Sequence, residues 1–242
     1  MRTLIFAKRN FKEIIRDPLS IIFAVILPLF LLYVFQQFKI PNEIYNIENF
    51  TPGIIIFSLA FITMFTASLV AKDRCSSLTA RLGVSPMRGV DYILGYILAV
   101  IPMIIIQSVL FFIAAIILGL KFNTNVIYTI LTVVPISLLF ILFGILIGTL
   151  TTEKSSSGIS SIVVQLVAFT SGMYFTTDMV GSTFNRICHI LPFESTLNII
   201  KGILNGNYNN MLHDIIIVSI YTFTIMILAV ILFKRKMISD NK

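Results

Sequence analysis

The stretch Lys72-Asp-Arg-Cys-Ser-Ser-Leu-Thr-Ala-Arg-Leu-Gly-Val-Ser-Pro-Met-Arg88 decides how the rest of the chain is read. It is a short basic island between two apolar runs, and each of those runs reaches the roughly 20 residues that a helix needs to cross a bilayer. Hydrophobic residues make up 57% of the 242 and charged residues only 12%, whereas soluble domains carry roughly a quarter charged residues. With a mean hydropathy of +0.96, a water-soluble fold of this length could not cover its apolar surface. The composition therefore specifies a polytopic, all-α membrane protein, read as a single domain over residues 1–242.

The net charge of +7 would suggest nucleic acid in a soluble chain. Here the basic residues flank apolar spans, which points to an anionic leaflet and to topology control, with no nucleic-acid partner. Cys75 and Cys188 are too far apart for any zinc spacing and define no disulfide framework. The first apolar run begins only after Pro18 and has no small-residue cleavage site, so a removable signal peptide is not expected.

Outward from the island, the chain reads as six spans. Residues 1–18 form an amphipathic helix with Leu4, Ala7, Phe11, Ile14 and Ile15 on one side and Arg9, Lys12, Glu13 and Arg16 on the other, a pattern suited to the membrane surface. Asp17-Pro18 breaks it from the first span, although extension into that span is the competing reading. The spans are Leu19 to Phe38 with Pro28 inside it, Pro52 to Ala71, Val90 to Gly119 with Pro102, Val126 to Leu150 with Pro135, Ser160 to Phe175, and Asp214 to Phe233. Gly144 and Gly148 in the fourth permit close helix contact within one chain. Residues 176–210 are too polar for a span and too apolar for a plain loop. Within them Phe193, Leu197, Ile200 and Leu204 make a helical stripe that starts at Pro192 and stops at Gly206.

If the N-terminus is cytoplasmic, this topology leaves only Lys39, Lys121, Arg186 and Lys201 of the 18 lysines and arginines on the outer side. Both termini and the island are then cytoplasmic in a multi-pass cell-membrane protein. A phosphate-cradling loop is excluded because no Gly-Lys dipeptide occurs, and no metal site is expected. His189 and His213 read as lone structural hydrogen-bonders. Asp73, Asp91, Asp178 and Asp214 all fall at span ends, so the spans carry no evident power source. Thr63, Thr66, Gln107 and Gln165 are the main polar groups within the spans, either lining a path or gluing helices together.

Three segments carry a resemblance that covers the whole chain: Arg9-Asn-Phe-Lys-Glu-Ile-Ile-Arg-Asp-Pro18, Ser77-Leu-Thr-Ala-Arg-Leu-Gly-Val-Ser-Pro86, and Leu191-Pro192 followed by Ile200-Lys201-Gly202. In this order they resemble the membrane subunit of type-2 ATP-binding-cassette exporters, in which an interfacial helix, a cytoplasmic coupling helix between spans two and three, and short external helices before span six recur. Leu78, Arg81, Leu82, Ser85 and Pro86 match the coupling segment, whereas Arg74 and Cys75 stand where an acidic and a small residue are more common. The resemblance implies a permease without its own cofactor. Separate ATPase subunits would bind ATP and Mg and would push on residues 72–88, with Leu78 and Leu82 as an apolar plug and Arg74, Arg81 and Arg88 reaching acidic partners. It further implies a second copy or a paralogue, an amphipathic, peptide or lipid-like cargo, a bacterial source and an outer gate at residues 192–206 involving Pro192, Glu194 and Lys201. A self-contained secondary carrier or channel is the alternative.

The topology makes a direct prediction. A cysteine introduced at Ser155 and another at Asn123 should react with a membrane-impermeant label from opposite faces of sealed vesicles, and labelling from one face would refute the arrangement.

Overall fold

The computed structural model describes residues 2–38, 43–75, 89–175 and 181–239. Among these the regular structure is entirely helical. We label the helices α1 (Arg2–Arg16), α2 (Pro18–Gln37), α3 (Ile47–Cys75), α4 (Gly89–Ile117), α5 (Thr124–Leu150), α6 (Glu153–Thr170), α7 (Ser182–Ile190), α8 (Pro192–Asn205) and α9 (Met211–Ser239).

Helix α3 is the centre. Of its apolar window 83% is buried, against 22% for α2 and 17% for α9, and it packs along both α5 and α6. In lipid no hydrophobic force drives helices together, so close approach depends on small residues and on hydrogen bonds between backbones and hydroxyls. Both devices are present. A Cβ at Gly144 would lie 2.6 Å from the Thr63 carbonyl, and one at Gly148 would collide with the Ala67 carbonyl. Thr63 Oγ1 donates to the Phe140 carbonyl across the same seam at 2.9 Å.

Pro28 bends α2 in a way that its chemistry dictates. Proline has no N–H to give to the carbonyl four residues back, and the turn before it widens into a π segment over Ile22–Ile26. The carbonyl so released belongs to Ala24, and Ser58 Oγ of α3 donates to it at 2.7 Å. The proline in the first span is thus satisfied by its neighbour, as membrane helices require.

Five helices, α2, α3, α4, α5 and α9, are each long and apolar enough to cross a bilayer. The fifth expected span, α6, starts seven residues before the sequence-based boundary at Ser160. The reason is a capping box in which Thr152 and Ser155 exchange side-chain and backbone bonds, so the polar Thr151–Ser157 stretch mostly continues the helix instead of looping. Although less apolar than the others, α6 runs beside α3 from end to end: Ser157 Oγ meets Ser68 Oγ at 3.2 Å near one end, and Tyr45 Oη donates to the Tyr174 carbonyl at 2.9 Å near the other. α3 likewise begins at Ile47 instead of Pro52 and runs on to Cys75. Lys72–Cys75 are therefore its last turn rather than part of a separate island.

Helices α7 and α8 lie before the last span as expected, bent by 75° at Leu191. Their elbow dips inward: Phe193 packs on Phe140 and Phe143 of α5 with ring centroids 6.1 and 6.0 Å apart, and Tyr221 Oη of α9 donates to the Ile190 carbonyl at 2.8 Å. Pro192 occupies the first turn of α8, and Gly206 ends it at φ 69°, a left-handed position that glycine accepts without strain. The stripe Phe193, Leu197, Ile200 and Leu204 is buried throughout.

Because the α3–α5 seam admits no extra atoms, Gly144→Val should lower stability by about 2 kcal/mol through overpacking. Thermal unfolding of the detergent-purified protein measures it.

Candidate functional site

Two clusters of polar groups lie at opposite ends of the bundle. At the end that carries α1, the Asp73 side chain is only 3% exposed, in the last turn of α3. A carboxylate buried this far needs compensating charge and hydrogen bonds. Arg9 of α1 contacts Oδ1 and Oδ2, each at 2.8 Å, and Tyr96 Oη of α4 donates to Oδ2 at 2.9 Å. Arg9 also pairs with Glu13 at 2.8 Å, and Glu13 with Lys72 at 2.7 Å. Burial alone would lower the pKa of Arg9, but the hydrogen bond and charge of Asp73 outweigh it and hold the guanidinium above its ordinary value.

Around this ion pair α1 is seated by packing. Phe6 contacts Tyr92 and Tyr96 edge-on, with centroids 5.6 and 5.1 Å apart, and a side chain at Gly95 would collide with its ring. The buried face of α1 consists of Phe6, Ala7, Asn10 and Ile14, while Leu4, Ile5 and Ile15 are exposed. The simple two-sided reading of α1 is corrected here. The helix has a bundle-facing side, an apolar flank open to the surroundings, and a charged edge on which Lys12 and Arg16 are exposed but Arg9 is drawn into the lock.

Arg74 also departs from expectation. Its guanidinium is turned onto the last carbonyls of α5, donating to Gly148 at 3.0 Å and to Thr149 and Thr151, so it caps a helix C-terminus instead of projecting toward an outside partner. Leu78, Arg81, Leu82, Ser85, Pro86 and Arg88 lie outside the described residues. The segment that holds them leaves α3 two residues after Asp73 and rejoins at Gly89, seven residues before Tyr96.

The four polar residues within the spans do not converge. Thr63 and Thr66 are buried against α5. Gln107 is 1% exposed and neither end of its amide has a partner. Gln165 is exposed on α6.

At the far end, the elbow between α7 and α8 meets the first turns of α9 around a cavity of about 490 Å³ lined by His189, Glu194, Asn198, His213 and Asp214. His189 Nδ1 lies 3.1 Å from Glu194 Oε2, so Glu194 faces a histidine. The two histidines share one cavity and are not isolated groups. An adjoining cavity of about 280 Å³ is lined by Lys201 and several asparagines. The sequence gives no periodic signal for this grouping, because its members come from three helices joined only by the bend at Leu191.

A docked amphipathic helix leads into a bundle of helices long and apolar enough to cross a membrane, the architecture of a polytopic membrane domain. A family model described as ABC-2 type transporter matches residues 1–205. The chain therefore belongs to the ABC-2 type transporter family and is a permease subunit of an ABC transporter, a multi-pass membrane protein whose family works with ATPase subunits. No curated protein matches the chain.

The lock at Asp73 can be tested by unequal mutants. Arg9→Met removes the cation from a buried carboxylate and should destabilise by about 3 kcal/mol. The double variant Arg9→Met/Asp73→Asn should recover part of that loss in thermal unfolding, and additive losses would exclude the coupling.

Proposed function

We propose that the chain is the permease of an ATP-driven exporter that moves an amphipathic cargo, such as a drug, an antimicrobial peptide or a glycolipid. Separate ATPase subunits act through residues 72–88. The observation that carries this reading is the Asp73 lock. The segment that would meet the ATPase is anchored at both ends beside one ion-paired cluster, so a displacement there moves α1, α3 and α4 together. Such contiguous, rigid contact is what transmission of a mechanical stroke needs. The cleft beside the lock, lined by Glu13, Arg16, Asp17, Lys72, Glu153 and Lys154, offers both signs of charge to a docked partner.

The asymmetry of basic residues supports a cytoplasmic location for this end and for both termini, in a bacterial cell membrane. A second copy, identical or paralogous, is supported by the exposed stripe Gly158, Ile162, Gln165 and Phe169 on α6. An amide facing lipid is costly, and a facing protomer or an aqueous path relieves it. In this reading Gln165 lines the path between protomers, and the α7–α8 elbow with Pro192, Glu194 and Lys201 gates the outer exit.

Leu78→Asp and Arg81→Glu should each lower ATP-dependent cargo export by about tenfold or more, the loss expected when a docking anchor is removed. Membrane levels and the ATPase subunits' basal hydrolysis should persist. Transport at the wild-type rate in both variants would overturn the docking role.

A further inference from the structure

The cavities between the α7–α8 elbow and α9 also hold groups to which the export reading gives no role, Asp214 and the surrounding asparagines. Asp214 is 8% exposed, and among the described residues it makes no ion pair and its carboxylate accepts no hydrogen bond. Lys201 of α8 is half-buried and likewise unpaired. Both line the cavity of about 280 Å³, yet they stay too far apart to pair with each other. A buried carboxylate and a half-buried ammonium that face one space without a protein counter-charge present complementary charge to a guest, and a guest that brings both opposite charges pairs with both. Between them Asn198, Asn205 and Asn210 offer amide donors and acceptors, which suit either sign of charge.

We propose that this chamber binds a zwitterionic group, a primary ammonium carried next to a phosphate. The ammonium sits against Asp214, and the phosphate against Lys201. Asn198, Asn210 and Asp214 also line the adjoining cavity of about 490 Å³, so the two spaces share a wall. In that adjoining space Glu194 faces His189, and His213 stands on α9. The chamber's size suits a head group, not a whole lipid. The elbow and α9 present Ile190, Ile216 and Ile220 at 65%, 57% and 59% exposure, a strongly apolar rim along which acyl chains can remain in the bilayer. A phospholipid head group and a free amino-phosphate share the chemistry recognised, and the test separates them. Binding at this site is independent of ATP hydrolysis and of the docking segment, so a failure of the export reading leaves it standing.

The test uses the full-length protein in detergent, without nucleotide, titrated calorimetrically with three probes: O-phosphoethanolamine, dihexanoylphosphatidylethanolamine and dihexanoylphosphatidylglycerol. The wild type should bind the phosphatidylethanolamine about thirtyfold more tightly than the phosphatidylglycerol, the ratio expected when a buried charge gains its partner. Binding of O-phosphoethanolamine as well assigns recognition to the head group alone, whereas binding of only the tailed probe assigns the site to lipid; either supports the proposal. Asp214→Asn should erase the preference between the two lipids, and Lys201→Met should weaken both while keeping the preference. Unfolding midpoints check that each variant folds. A wild type that binds both lipids equally or neither, or an Asp214→Asn variant that keeps the preference, overturns it. The wild-type comparison stands even where a variant fails to fold.

Discussion

A carboxylate buried at the end of the most enclosed helix fixes how this molecule is put together. Asp73 can remain charged only if a cation and a hydroxyl come to it. The nearest suppliers are Arg9 on α1 and Tyr96 on α4. Meeting that need pins an amphipathic helix that would otherwise lie loosely on a membrane surface, and it sets the start of α4 against it through Phe6. The same requirement joins the last turn of α3 to α1 and to the N-terminal half of α4.

Within the bundle, cohesion comes from close approach and from backbone groups that proline releases. Gly144 and Gly148 bring α5 onto α3, Thr63 bonds across the seam, and Ser58 repairs the carbonyl that Pro28 leaves open. Among the described residues Gln107 is buried with neither end of its amide bonded, and the hydroxyls of Thr66, Ser108 and Ser160 likewise find no partner. An amide in that position costs about 1 to 3 kcal/mol, and such local violations in natural proteins gather at functional sites.

The far end obeys a different logic. The bend at Leu191 and the turn into α9 bring polar side chains from three helices around shared open cavities. His189, Glu194, Lys201 and Asp214 acquire a common environment only because α7 and α8 fold back against α9.

Much of this architecture was legible in the amino-acid order. Apolar run lengths placed the spans, Pro18, Pro192 and Gly206 placed breaks, and the family match over residues 1–205 agrees with the class that the order of parts suggested. Boundaries were less legible at Ile47 and Glu153, where a tolerated proline and a capping box extend helices through polar sequence. The partners of Arg9 and Arg74 were not legible at all. An arginine's charge is written in the sequence, but whether it meets a buried carboxylate, the carbonyls of a helix end or solvent depends on which helices cross beside it. By itself the sequence determined that helices must span lipid, since apolar runs with no water to satisfy their backbone permit little else. Only the tertiary structure decided which charges are paired and which face a cavity, because those pairings join residues far apart in the chain through contacts that no local period encodes.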